Sequence, residues 1–242
     1  MIVIYDDLES LSYAAAGLFV QQARQAVDDR GWFSVVLSGG HTPRRTYELL
    51  AQTPYRDRMP WSHVHVFWGD ERCVPADDPR SNARMARQAL LDSVPVPPKQ
   101  IHPIPCASAP KNVAEAYELL LRDFFAGQPP CFDLVLLGLG ENGHTASLFP
   151  GMEVLEERER WVAEVHVADQ HLYRVTLTAP IINRASVVAF LVAGAGKAQV
   201  LKEVLEGPRD PLRWPAQLIQ PTDGVLQWLV DRPASSLLTR KV

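Results

Sequence analysis

Short apolar, β-branched runs alternate with helix-period segments from one end of the chain to the other. Strands are predicted at residues 2–5, 33–37, 63–68, 132–137, 162–167, 174–177, 187–192 and 226–230. Helices are predicted at 10–29, 43–51, 81–92, 113–126, 144–149 and 197–206. Such alternation specifies βα units, hence an α/β fold with helices packed around a mostly parallel, Rossmann-like sheet. Ser34-Val-Val-Leu37, Asp133-Leu-Val-Leu-Leu137 and Val187-Val-Ala-Phe-Leu-Val192 are apolar on both faces, as expected of strands covered on both sides. Ser81-Asn82 reads as a helix start. Asn112, with Glu115 three residues on, has the capping-box pattern. Pro43 suits a first helical turn. Proline clusters at 95–98 and 103–110 read as extended connectors inside one domain spanning 1–242.

Composition narrows the classes. At 47% hydrophobic and 21% charged residues the chain is ordinary for a globular protein. Its net charge of −4 argues against a broad nucleic-acid surface. No apolar run reaches the roughly 18–20 residues that span a bilayer. The acidic N-terminal stretch lacks the basic region of a secretory signal. Cys73, Cys106 and Cys131 form no CxxC pair, and their odd number suits reduced thiols in the cytoplasm.

Four loops that follow predicted strands carry candidate chemistry. Ser38-Gly39-Gly40-His41-Thr42-Pro43 offers backbone N–H groups and hydroxyls at a helix start, a natural anion site, but it lacks the Gly-Lys-Ser/Thr of a P-loop. Trp68-Gly69-Asp70-Glu71-Arg72 brings a forked cation together with two carboxylates that suit sugar hydroxyls or the orientation of Arg72. Arg174 opens one strand and Lys197 follows another at a glycine turn; both are phosphate candidates. His63 and His65 alternate onto one strand face, but spacing supplies no third metal ligand.

The fourth loop, Gly138-Leu-Gly-Glu-Asn-Gly-His-Thr-Ala-Ser-Leu-Phe-Pro150, places His144 just past a glycine turn. Gly138-x-Gly140-x-x-Gly143 mimics a dinucleotide fingerprint, but Leu148-Phe149-Pro150-Gly151 ends the following helix almost at once. An imidazole at a strand-to-helix turn suits acid–base chemistry instead.

Together these segments, with Ile182-Asn183 and Val192-Ala-Gly-Ala-Gly-Lys197, resemble the 6-phosphogluconolactonase family over roughly residues 30 to 230. The resemblance implies an α/β/α sandwich and hydrolysis of 6-phospho-D-glucono-1,5-lactone without metal or organic cofactor. It makes His144 the general base, accompanied by Asn142. It assigns phosphate and substrate binding among Ser38, Gly39, Gly40, Thr42, Asp70, Arg72, Arg174 and Lys197. The implied partner is a small phosphosugar lactone, with no nucleic acid or membrane, for a monomer or small homo-oligomer. The same superfamily includes glucosamine-6-phosphate deaminases. Asn142 stands where many relatives carry aspartate, and an amide orients groups but does not exchange protons. That departure weakens the deaminase alternative. A non-catalytic phosphosugar-binding protein is the other reading.

Overall fold

In a computed structural model, which describes residues 1–126 and 128–239, seven strands form one fully parallel sheet. They are β1 (Ile2–Tyr5), β2 (Phe33–Leu37), β3 (Val64–Trp68), β5 (Ile101–His102), β6 (Leu134–Gly138), β9 (Val187–Val192) and β10 (Val225–Asp231), in the order β1-β10-β9-β6-β2-β3-β5. Every residue of β2 and β9 is buried, as their unbroken apolar runs require. The flanking helices are α1 (Leu8–Arg30), α2 (His41–Leu50), α3 (Tyr55–Arg58), α4 (Asn82–Ala89), α5 (Pro110–Phe124), α6 (Ala179–Ile182) and α7 (Ala198–Glu206).

Local chemistry fixes the helix ends. Asp7 caps α1 by accepting the Ser10 N–H at 2.7 Å, and Gly31, at φ 87°, closes it by donating to Val27 O. Leu11, Ala15, Phe19 and Ala26 form the stripe of α1 that packs inward. Ser81 caps α4, as its sequence position indicates. Asn112 does not cap α5: the helix begins at Pro110, where a proline at the first position forfeits no hydrogen bond.

A second sheet departs from the expected arrangement. β4 (Asp70–Arg72), β7 (Val162–Val167) and β8 (Leu172–Leu177) form a three-stranded antiparallel sheet in the order β4-β8-β7. Two of the predicted strands therefore form a hairpin outside the main sheet. β3 runs through Gly69 into β4, and the Leu177 N–H donates to Gly69 O at 2.8 Å, bolting the small sheet to the large one.

The helix predicted at 144–149 is absent. Gly143 and Ala146 take positive φ (81° and 48°), and Thr145 and Leu148 form an isolated bridge. The backbone N–H of Ser147 turns instead to Thr176 Oγ1, 3.1 Å away on β8. A tertiary hydrogen bond and left-handed residues here override a short helical pattern. Among the described residues, no helix is long and apolar enough to cross a membrane.

Candidate active site

The central strands β9, β6, β2 and β3 all point their C-terminal ends at one edge, where open α/β sheets bind ligands. The loops leaving them, with β4 and β8, enclose a cleft of about 470 Å³. Ser38, Gly39, Gly40 and Thr42 line one wall. Asp70, Arg72, His144, Arg174 and Lys197 line the rest. Among the residues expected to act in catalysis or substrate binding, Asn142 alone does not line the cleft; it reaches it through His144.

The glycine loop after β2 is held from behind. The Ser38 N–H donates to the Tyr47 hydroxyl, which donates back to Ser38 O, both at 2.9 Å. Gly40, at φ 107°, caps α2 and opens the helix N-terminus onto the cleft. A Cβ at Gly39 would lie 1.9 Å from Asn82 Oδ1, so the loop and the start of α4 fit only with glycine there.

The small sheet delivers the cations. Arg72 and Arg174 are direct cross-strand partners of β4 and β8, so both side chains leave the same face. Arg72 Nη1 donates to Arg80 O at 2.6 Å, leaving its buried Nε without a partner. Arg174 donates to Gln170 Oε1 at 2.6 Å and lies 3.4 Å from Asp70 Oδ2; its Nε is likewise buried and unpaired. Asp70 also accepts from the Ser147 hydroxyl at 2.6 Å and from Asn82 Nδ2 at 3.0 Å. Asp70 thus steadies Arg174 rather than Arg72. Glu71 points away from the cleft: its carboxylate accepts from the Ser81 hydroxyl and from the Arg72, Asn82 and Ala83 N–H groups, tying down the start of α4. Lys197 is held only loosely, its Nζ 4.0 Å from Glu141.

His144 is the titratable group with the most distinctive surroundings. Its ring stacks on Phe149 at 4.3 Å, and the Arg174 guanidinium lies over the same phenyl ring at 5.2 Å. Burial pushes its pKa down to about 4; Asp70 opposes this, while Arg174, Lys197 and Arg72 reinforce it. The imidazole is therefore neutral at neutral pH. Asn142 Oδ1 lies 2.6 Å from Nδ1 and also accepts the His144 backbone N–H at 3.3 Å. Since the backbone group is a donor, the Asn142 atom facing it is the oxygen, and Nδ1 must carry a proton to meet it. Nε2 keeps its lone pair.

Thr145 and Ser147 went unassigned in the sequence. Thr145 is buried against the cleft with an unpartnered hydroxyl, and Ser147 holds Asp70. The only signal for them is that they share a segment with His144. His63 and His65 do not converge on a common point. His63 Nδ1 lies against Gly31 O at 2.9 Å, whereas His65 meets His102 and Gln100. Among the described residues, no cluster of three metal-ligating side chains occurs. The dinucleotide fingerprint also lacks its helix, since the glycine turn runs into the irregular 143–148 segment.

Fold and cleft together define an α/β protein with a pocket lined by Arg72, Arg174 and Lys197 and by the buried imidazole of His144, at the C-terminal edge of a parallel sheet. Residues 6–228 match the family described as glucosamine-6-phosphate isomerases/6-phosphogluconolactonase. A 6-phosphogluconolactonase of Synechocystis sp. is 48% identical over 218 residues, 88% of each chain. The solved 6-phosphogluconolactonase of Trypanosoma brucei superposes with a TM-score of 0.86 at 30% identity, covering 99% of this chain and 98% of that one. A monomeric glucosamine-6-phosphate deaminase shares the fold, with a TM-score of 0.84 at 21% identity. The chain belongs to the glucosamine-6-phosphate isomerase/6-phosphogluconolactonase family.

Proposed function

We propose that the chain hydrolyses 6-phospho-D-glucono-1,5-lactone to 6-phosphogluconate, with His144 as the general base. One observation carries the mechanism: a neutral imidazole, its tautomer set by Asn142, faces the same cleft as Arg72, Arg174, Lys197 and the N-terminus of α2. Nε2 takes a proton from water as the water attacks C1. The resulting imidazolium returns it to the ring oxygen as the tetrahedral intermediate opens. The remote phosphate supplies binding energy that orients the reactive end. A base with so low a pKa is weak in the empty cleft. A bound dianion stabilises the imidazolium and raises that pKa, so the substrate itself strengthens the base. The aminosugar alternative lacks a carboxylate at position 142. One domain is proposed because buried residues from Leu11 to Ala234 form a continuous core. A cytoplasmic setting belongs to the same reading.

The decisive experiment measures decay of freshly made lactone above its spontaneous rate. Phosphosugar binding without acceleration selects the non-catalytic reading, and ammonia release from glucosamine 6-phosphate selects the deaminase. Two further outcomes are expected. An NMR titration of the free protein gives His144 a midpoint near 4, and bound 6-phosphogluconate moves it upward. A free-protein midpoint at the ordinary histidine value contradicts the burial argument. Lys197→Ala raises KM about ten- to a hundredfold with kcat little changed, because one charge-assisted contact to the substrate is lost and the fold barely uses this side chain. An unaltered KM removes Lys197 from the binding set.

A further inference from the structure

Outside the cleft, two of the three cysteines meet. Cys73 directly follows Arg72, and its backbone N–H extends the β4–β8 ladder by donating to Tyr173 O at 2.9 Å. Cys106 lies in the proline-rich connector between β5 and α5, where Ala107 N–H donates to Pro105 O at 2.7 Å. The two residues are 33 apart in sequence, yet their Sγ atoms are 3.1 Å apart. Both are half-buried thiols that no step of lactone hydrolysis uses. Their mutual hydrogen bond holds Cys73 below the ordinary thiol range and, with burial, drives Cys106 upward. The close contact thus favours Cys73 as the first of the pair to lose its proton. Cys106 also borders a second pocket, of about 580 Å³, lined by Val74, Pro103 and Pro105 and by Arg84 and Arg87. Arg72 lies between the two cavities and lines both.

We propose that Cys73 and Cys106 are a redox-active dithiol, a modification site that closes to an intramolecular disulfide by exchange with a disulfide-bearing small molecule or protein. The Cys73 thiolate attacks one sulfur of the incoming disulfide and releases the other as a thiolate, giving a mixed disulfide. Cys106 then gives up its proton and attacks Cys73 Sγ, expelling the second thiolate. Two protein thiols are oxidised and the incoming disulfide is reduced to two thiols. A disulfide needs its sulfurs about 2.05 Å apart, so they must approach by about 1 Å. Cys73 is fixed in a ladder, so the connector carrying Cys106 makes the move. The bridge closes a covalent loop around α4, whose Asn82 holds Asp70, and it anchors the residue next to Arg72.

Glutathione disulfide is the probe, applied to the folded, fully reduced chain, followed by thiol counting in denaturant and peptide mapping by mass spectrometry. Free thiols fall from three to one with loss of two hydrogens, the bridge maps to Cys73 and Cys106, and dithiothreitol restores all three. Cys106→Ser stops at a glutathione adduct on Cys73. Cys131→Ser, which leaves the pair intact, still bridges, so the result does not hinge on either paired cysteine tolerating substitution. Three thiols persisting, a bridge that includes Cys131, or stable adducts on the parent protein in place of the bridge each overturn the proposal.

Discussion

Replacing His144 by alanine lowers kcat for lactone hydrolysis by about 10²–10⁴-fold, the range a positioned general base contributes. KM and the melting temperature stay close to those of the parent. The cations that would grip the phosphate, Arg72, Arg174 and Lys197, do not depend on the imidazole for their place. Arg174 is held by Asp70 and Gln170, and Arg72 by the Arg80 carbonyl. What His144 supports directly is one stacking contact with Phe149 and the hydrogen bond to Asn142. His144→Gln keeps a polar side chain of similar reach but offers no base, and it should be as slow as the alanine variant. Initial rates corrected for spontaneous hydrolysis provide the check. An alanine variant with parental kcat ends the general-base proposal while leaving the family assignment intact.

Gly140→Ala should be nearly as damaging, although the residue has no side chain to contribute. A Cβ there would lie 2.0 Å from His144 Nδ1 and 2.1 Å from Cε1. The turn cannot yield easily: Gly140 N–H donates to His144 O at 2.8 Å, and Gly143 N–H donates to Gly140 O at 3.0 Å. Gly143 is pinned in turn, since its carbonyl accepts from Ala216 and its Cα faces Trp214. The imidazole is the part free to move, and moving it breaks the contact with Asn142 that sets the tautomer. A displacement of about 1 Å costs about 10²-fold in rate. Overpacking adds a loss of about 1–3 kcal/mol in stability. Because both substitutions act on one group, Gly140→Ala combined with His144→Ala is expected to be no slower than His144→Ala alone. Additive losses in kcat would place the role of Gly140 elsewhere.

Most of the parallel sheet was legible because its strands are covered on both faces and therefore read as uninterrupted apolar runs. The same reasoning explains what was missed. β4 is Asp-Glu-Arg, with no apolar signal, and exists only because β8 pairs with it. Without β4, nothing in the sequence tells the 162–167 and 174–177 runs from parallel strands. β5 has two residues, too few to show any period. Glycine turns and isolated charges at strand ends pointed to the loops that line the cleft, because strand ends converge in a parallel sheet. Partnership was not legible. Whether Asp70 serves Arg72 or Arg174 depends on ladder register, and the role of Ser147 depends on a turn that the helical pattern at 144–149 obscured. The Cys73–Cys106 contact is of the same kind, as it crosses from a strand end to a connector without regular structure.

The pairing of Arg72 with Arg174 sets two like charges opposite each other in a ladder, where opposite charges stabilise. Asp70 balances one of them, and the positive charge of Arg72 adds to the burial that holds Arg174 below the ordinary arginine range. The small sheet therefore carries a frustration that selection for folding alone would remove, most simply with a neutral residue at position 72. The pairing makes the unliganded protein less stable than it would be with a neutral residue at position 72, and on the proposed reading a bound dianion relieves that deficit. If these two arginines hold the phosphate as proposed, tolerance to heat and affinity for the substrate are opposed at these positions, and improving one by substitution there works against the other.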